Sequence, residues 1–184
     1  RSIVGVSDSP FTFSQQVYAH QGQRWEADIE LPPLSSVVAQ AWVTFLLSLN
    51  GREGTFLMGD PAVLAPRGAG GGSPLVKGAG QTGQVLAIDG APISTGDWLM
   101  AGDMIQLGSG STATLHKVLA DVDTNGAGEA TLDIWPRLRS SPGDNAAVTI
   151  TGCVGRWRLA SNESQWSVGQ ALRYGISFVA VEAL

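Results

Sequence analysis

The sequence predicts a mainly β protein: a β-sandwich or split-barrel body with one α-helix, carrying an inserted small β-barrel domain. Three observations lead there. Residues 11–60 and 153–184 hold most of the aromatic residues and the alternating apolar positions. Residues 61–152, between them, are rich in glycine and punctuated by turn signals. Within that middle stretch short apolar runs recur at close spacing, as the strands of a small barrel or sandwich do. The expected division is a discontinuous β-rich body over 1–64 and 153–184, a glycine-rich linker over 65–74, and an inserted barrel-like domain over 75–152.

The first block reads as two strands, a helix and a third strand. Phe11 to Ser14 alternates apolar and polar residues, the pattern resumes at Val17, and His20-Gln-Gly22-Gln supplies a hairpin turn. Trp25, Ala27, Ile29 and Leu31 then share one face of a strand, with Glu26, Asp28 and Glu30 on the other. So regular an alternation makes the three acids a solvated face rather than a metal or acid–base group. Pro32-Pro33 stops the strand, since proline cannot donate to the ladder. Ser35 or Ser36 can cap a helix over about 36–49, whose apolar positions Val38, Ala41, Trp42, Phe45, Leu46 and Leu49 follow three- and four-residue steps. Asn50-Gly51 closes it, Glu53 to Gly59 forms a short strand, and Asp60-Pro61 turns out of the block.

In the middle, Ala65 to Pro74 has the composition of a flexible connector. Strands are expected over 84–88, running into the hairpin signal Asp89-Gly90, and over 104–107, 113–119, 130–135 and 147–150. Gly78-Ala-Gly80-Gln-Thr-Gly83 matches the letters of a dinucleotide fingerprint, but Asp89-Gly90 leaves no room for the helix that fingerprint needs, so a plain loop is expected. Asp121-Val-Asp123-Thr-Asn125-Gly126 begins like a calcium loop, yet its twelfth position is Leu132 instead of Glu. The expected structure is a hairpin tip turned by Asn125-Gly126 with Asp121 and Asp123 facing water; the metal alternative uses Asp121, Asp123 and Glu129. Asp103 belongs in a turn, bonding nearby backbone amides. His20 and His116 lack partners at ligand spacing, and His116, in an apolar strand, reads as a satisfied and partly buried imidazole. Neither a Walker loop nor a nucleophile elbow is present, so no catalytic residue and no cofactor is expected.

The chain then returns to the body. Cys153, Trp157 and Leu159 alternate with Val154, Arg156 and Arg158 in one strand, Asn162 to Gln165 turns, and Trp166 opens another short run. The closing strand sets Tyr174, Ile176, Phe178, Ala180 and Glu182 on one face and Arg173, Ser177, Val179 and Val181 broadly on the other. Apolar residues on both faces place it centrally or at a subunit contact, paired with strands of the first block. Arg156, Arg158 and Arg173 are expected to pair with the Glu26, Asp28 and Glu30 row instead of stacking a ligand beside Trp157 and Trp166.

Composition narrows the function classes. With 184 residues the chain is one large domain or two small ones and can bury a real core. Only 15% of residues are charged against 43% hydrophobic, a balance suited to surfaces covered in an assembly. A net charge of −5 with 11 Lys and Arg argues against nucleic acid, whose groove needs a basic stripe to displace counterions. The single cysteine, Cys153, forms no internal disulfide and is expected as a small buried hydrophobe. The run from Val37 to Leu49 is too short and too polar at Gln40, Thr44 and Ser48 to span a bilayer, and no signal peptide opens the sequence, so a soluble protein is expected. The sequence begins without Met and reads as a processed or trimmed form.

Three stretches carry a resemblance: Trp25-Glu-Ala-Asp-Ile-Glu-Leu-Pro-Pro-Leu, Ala41-Trp-Val-Thr-Phe-Leu-Leu-Ser-Leu-Asn-Gly and Gly54-Thr-Phe-Leu-Met-Gly-Asp-Pro. Ala101-Gly-Asp-Met-Ile-Gln-Leu-Gly, Asp133-Ile-Trp-Pro-Arg-Leu-Arg and Ile176-Ser-Phe-Val-Ala-Val-Glu continue it, so that it spans nearly the whole chain. In these the sequence resembles the minor or distal tail proteins of long-tailed bacteriophages. The resemblance implies a non-enzymatic virion protein, made in the host cytoplasm. It would form a ring, a hexamer, between the tail tube protein and the hub or tip proteins, with the inserted unit facing outward. It brings no catalytic residues. The body would meet its neighbours through β-edges and the helix around Trp42, with Trp42, Phe45, Phe178, Val179 and Val181 as interface candidates. The alternative from another class is a carbohydrate-binding module contacting a host-surface glycan, with Trp98, Trp135 and Asp103 as its stacking site. A metal-assisted hydrolytic site around Asp121 and Asp123 ranks last.

Overall fold

A computed structural model describes residues 1–169 and 171–184. Among them the elements follow as β1 (Ser2–Asp8), β2 (Gln15–Gln23), β3 (Glu26–Glu30), α1 (Ser36–Ser48), β4 (Phe56–Met58), β5 (Leu75–Val76) and β6 (Gly83–Asp89). Then come β7 (Met104–Leu107), β8 (Thr114–Val118), β9 (Ala130–Leu138), β10 (Val148–Thr149), β11 (Gly155–Leu159), β12 (Trp166–Val168) and β13 (Tyr174–Glu182). The protein is mainly β with one α-helix.

The two chain regions share one sheet. β13 lies at its centre, with β3 along one side, where Phe178 faces Ile29, and β11 along the other, where Ala180 faces Leu159. β4 extends the sheet beyond β11, and β12 pairs with the start of β13. Helix α1 lies across this sheet. Ala39, Val43, Leu46 and Leu49 are spaced to fall on one stripe and bury against Leu159 and Ile176. The valine and leucines among them, fully buried, contribute about 1.5–3 kcal/mol each before ordering costs. The helix ends where Asn50 and Gly51 turn left-handed and Gly54 N–H donates to the Leu49 carbonyl at 2.8 Å.

The middle of the chain forms a six-stranded sheet in the order β10-β7-β8-β9-β6-β5. Its two edges meet, because Leu75 bridges Ala147, Val76 N–H donates to Ala146 and Val148 N–H to Pro74, giving a nearly closed barrel. Closure removes the exposed edges that an open sheet would present. Leu86, Ile88, Trp98, Ile105, Val118, Leu132 and Ile134 fill the interior.

A third apolar cluster joins barrel to body. Met104 and Leu115 from the barrel pack with Cys153, Trp157 and Ala180, and with half-buried Trp25, Ala27, Ile29 and Met58. Trp25 Nε1–H donates to the Leu115 carbonyl at 2.8 Å, and Arg139 grips the buried Glu182 carboxylate with two bonds of 2.7 and 2.6 Å. The chain leaves and re-enters the body at one crossing, with Gly59 against the Cys153 carbonyl and Gly152 N–H donating to Leu64 at 2.7 Å.

Three expectations are corrected here. The first hairpin is not built from 11–31: β1 pairs with β2 in a separate two-stranded sheet, and its tip is Ser9 to Ser14. Ser9 N–H donates to the Ser14 carbonyl, Phe13 N–H donates back to Ser9, and Phe13 takes a left-handed φ of 54°, so the Phe-Thr-Phe segment turns instead of extending. His20 to Gln23, expected to turn, lies within β2. Segment 65–74 has the composition of a flexible connector but is pinned along its length, by Ala69 to Asp97, Gly70 to Trp98 and Ser73 to Gly90. Gly70, Gly71 and Gly72 all have positive φ, so these glycines serve a fixed irregular path. Finally, the arginine row does not meet the acidic row. Glu26 pairs with Arg24 and Arg1, and among the described residues no ion pair joins Arg156, Arg158 or Arg173 to Glu26, Asp28 or Glu30. Arg158 lies opposite Val181, which lies opposite Glu26, so a whole strand separates them. No helix of the described residues is long and apolar enough to cross a membrane.

Candidate functional site

The hairpin β1–β2 stands away from the rest of the chain. Within its strands every residue but Gly5 and Gln23 is exposed. The register sets Val4 opposite Ala19 and Val6 opposite Val17, which puts four apolar side chains on one face, with Tyr18, Gln16 and Ser7 on the other. Phe11 and Phe13, at the tip, are 93% and 82% exposed. Among the described residues the ribbon is anchored at its base. Arg137 N–H donates to the Gln23 side chain at 2.8 Å, Arg139 to the Gln23 carbonyl at 2.7 Å, and Trp135 Nε1–H to the Ser2 hydroxyl at 3.4 Å. A lone two-stranded ribbon is marginal in water, and an apolar face of this kind marks an interaction surface.

A groove of about 400 Å³ opens beside the third cluster, lined by β3 on one side and by Met58 to Pro61, at the end of β4, on the other. Its floor is apolar, made by Trp25, Ala27, Ile29, Met58 and Trp157; Asp60 also lines it, and β3 borders it with Glu26, Asp28 and Glu30 alternating to the opposite face of that strand. The Arg24 guanidinium bonded to Glu26 at 2.7 Å holds that carboxyl below its ordinary range.

The expected interface residues divide. Trp42, Phe45 and Phe178 form an aromatic cluster with Phe56, with ring centroids 5.4 to 6.4 Å apart, and each is half-buried, so they fasten the helix to the sheet while leaving a hollow beside Ala41. Val179 is 46% exposed and free to make a contact. Val181, expected at the surface, is 8% exposed and is not a surface residue, because it lies between the long side chains of Arg158 and Glu26, its cross-strand neighbours on the same face.

The residues singled out for chemistry do structural work instead. Asp121 accepts from Ala101 N–H and Asp123 from Asp97 N–H, each at 2.8 Å, while Glu129 pairs with Lys77 at 2.7 Å. They do not converge, and the described residues contain no group of three His, Cys, Asp or Glu placed to hold a metal. The two aspartates are exposed, as expected, and they also brace the 97–101 loop. Asp103 is fully buried and accepts from the amides of Arg67 and Met100 at 2.9 and 2.8 Å, with the Arg67 guanidinium alongside. Trp98 is sealed in the barrel core with Nε1–H on the Gly71 carbonyl, and Trp135 stacks edge-on against Trp25 at 4.6 Å. With Trp98 and Asp103 enclosed, the glycan-stacking trio does not exist as a surface. Gly78 to Gly83 leads into strand β6 and is filled by Gln81, whose side chain bonds Lys77, Gly78 and Ala87. Burial pushes the Cys153 thiol up to about 11, far from nucleophilic ionisation near neutrality.

The arm escaped sequence reasoning. Ile3, Val4 and Val6 sit beside a glycine with little alternation, and the one local cue is the turn-forming Ser9-Pro10. No protein-family model matches this chain, and no curated protein is significantly similar to it.

Proposed function

We propose that this chain is a self-associating structural subunit of a bacteriophage tail, a distal or minor tail protein whose copies close into a ring, expected as a hexamer, joining the tail tube to the tail tip. The observation that carries the reading is the β1–β2 arm, a ribbon with an uncovered apolar face and two aromatic residues at its end, set on a body welded to its barrel by a shared core. Such an arm gains its stability by being covered, and burial against another subunit is the simplest cover. The virion is then its place of work, after synthesis in the host cytoplasm, and its partners are other copies together with the tube and hub proteins. The glycan-binding alternative has lost two of its stacking residues to the interior.

Native mass spectrometry and electron micrographs of the purified protein, alone and co-expressed with tube and hub proteins, test this. Closed rings of six are expected. A protein that stays monomeric alone and also fails to join tube or hub overturns the reading.

A further inference from the structure

The tip of the arm and the groove are a projection and a recess of one chain that cannot meet within it. β2 runs from Gln15 at the tip to Gln23 at the base, and at about 3.4 Å per residue this sets the tip on the order of 27 Å from the base. Trp25, which lines the groove, follows that base directly. Building on the self-associating reading, we infer that Phe11 and Phe13 of one copy insert into the groove between β3 and β4 of the next, a head-to-tail contact that repeats around a ring.

Four features fit this occupant. Phe11 and Phe13 are among the most exposed large apolar side chains of the protein, at 93% and 82%. The loop presenting them is already braced, by Ser9 N–H on Ser14 and Phe13 N–H on Ser9, each at 2.9 Å, and by Thr12 and Ser14 hydroxyls 2.8 Å apart, so docking orders little that was free. The groove, about 400 Å³, has room for two aromatic rings over its floor of Trp25, Ala27, Ile29 and Met58.

Charge agrees as well. Ser9 to Ser14 carries no charged side chain, while the carboxylate of Asp60 lines the groove and those of Asp28 and Glu30 belong to the strand that borders it. An uncharged tip enters a groove bordered by carboxylates without like-charge repulsion. Two phenylalanines bury about 150–250 Å² each, and with the apolar face of Val4, Val6, Val17 and Ala19 the contact reaches the roughly 1,000 Å² that a specific interface needs. A head-to-tail contact of this sort generates a ring when its rotation closes.

The test uses complementary variants of the full chain, with circular dichroism and thermal melting confirming the fold of each. Phe11→Ser with Phe13→Ser removes the projection, and Pro61→Trp, at the exposed rim, fills the recess; Ala27→Glu is a second way to spoil the floor. Association is read by native mass spectrometry and sedimentation, beside tube and hub proteins if wild type assembles only there. Each variant alone is expected to lose self-association by on the order of 100-fold. An equimolar mixture of tip and groove variants restores a single contact and gives one-to-one dimers. The inference is overturned if the tip variant assembles like wild type, or if folded variants fail to pair on mixing. It is also overturned if the tip variant still forms rings but no longer joins the tube or hub, since the tip then serves another protein. These results leave the ring reading standing, whereas a wild-type protein that never assembles removes both.

Discussion

His116 is 2% exposed, with Nδ1 2.7 Å from the Pro136 carbonyl and Nε2 3.1 Å from the Thr114 hydroxyl. A carbonyl only accepts, so Nδ1 carries the proton and Nε2 accepts from threonine, which satisfies a neutral ring. Burial holds its pKa below 6.5, reinforced by Arg139 and opposed by the Pro136 bond and by Glu182. A base depressed in this way contributes stability that is complete above 6.5 and is lost as pH falls through its folded value, because the unfolded chain takes the proton first. His116→Gln should therefore flatten the decline of Tm just below pH 6.5, as read by thermal melts across a pH series. Losses below about 4.5, where Glu26 and Glu129 are held down by Arg24 and Lys77, should remain in the variant. The satisfied imidazole was legible from one histidine in an apolar strand; its threonine and proline partners were not, since Pro136 is supplied by a neighbouring strand.

Gly59 ends the short segment led by β4, where a Cβ would drive into the Cys153 carbonyl oxygen, backbone against backbone. Neither side can yield cheaply, so Gly59→Ala is expected to cost about 1–3 kcal/mol, measured as a lowered midpoint in chemical denaturation with unchanged slope. Helix α1 was legible in its bounds, since three- and four-residue steps followed by Asn50-Gly51 are local signals, but its stripe was partly misassigned: Val38 and Ala41, expected on it, are exposed, while Ala39 and Val43 are buried, because the sheet beneath decides which neighbouring stripe is covered. The barrel strands were legible for the same reason, with β5 missed because two residues hold no period. The hairpin was misread because Phe11-Thr-Phe13 alternates as a strand does, while the bonds between Ser9, Thr12 and Ser14 make it a turn.

Body and barrel share Met104, Leu115, Trp157 and Ala180 in one cluster, and the Arg139–Glu182 pair crosses the same boundary. Units so joined should unfold together, giving a single calorimetric transition whose calorimetric and van't Hoff enthalpies agree. Trp25→Ala removes the ring that packs on Trp135 and the bond to Leu115. It is expected to cost about 3–5 kcal/mol and to split the transition in two. The composition of 65–74 hid this, since a glycine-rich stretch looks the same whether it hangs free or is threaded along a fixed path.

The kinds of element, their periods and their turns could be read from the amino acids in order, because propensity and alternation act over a few residues. Which faces are covered could not, because coverage depends on partners a hundred residues away. Val181, apolar and alternating outward, is buried between its cross-strand neighbours Arg158 and Glu26, while Val4, Val6 and Val17, no less apolar, stay about half or more exposed. The closing of the chain into sheet, barrel and shared core assigned Trp98 and Asp103 to the interior and left the apolar face of the arm and the groove open at the surface.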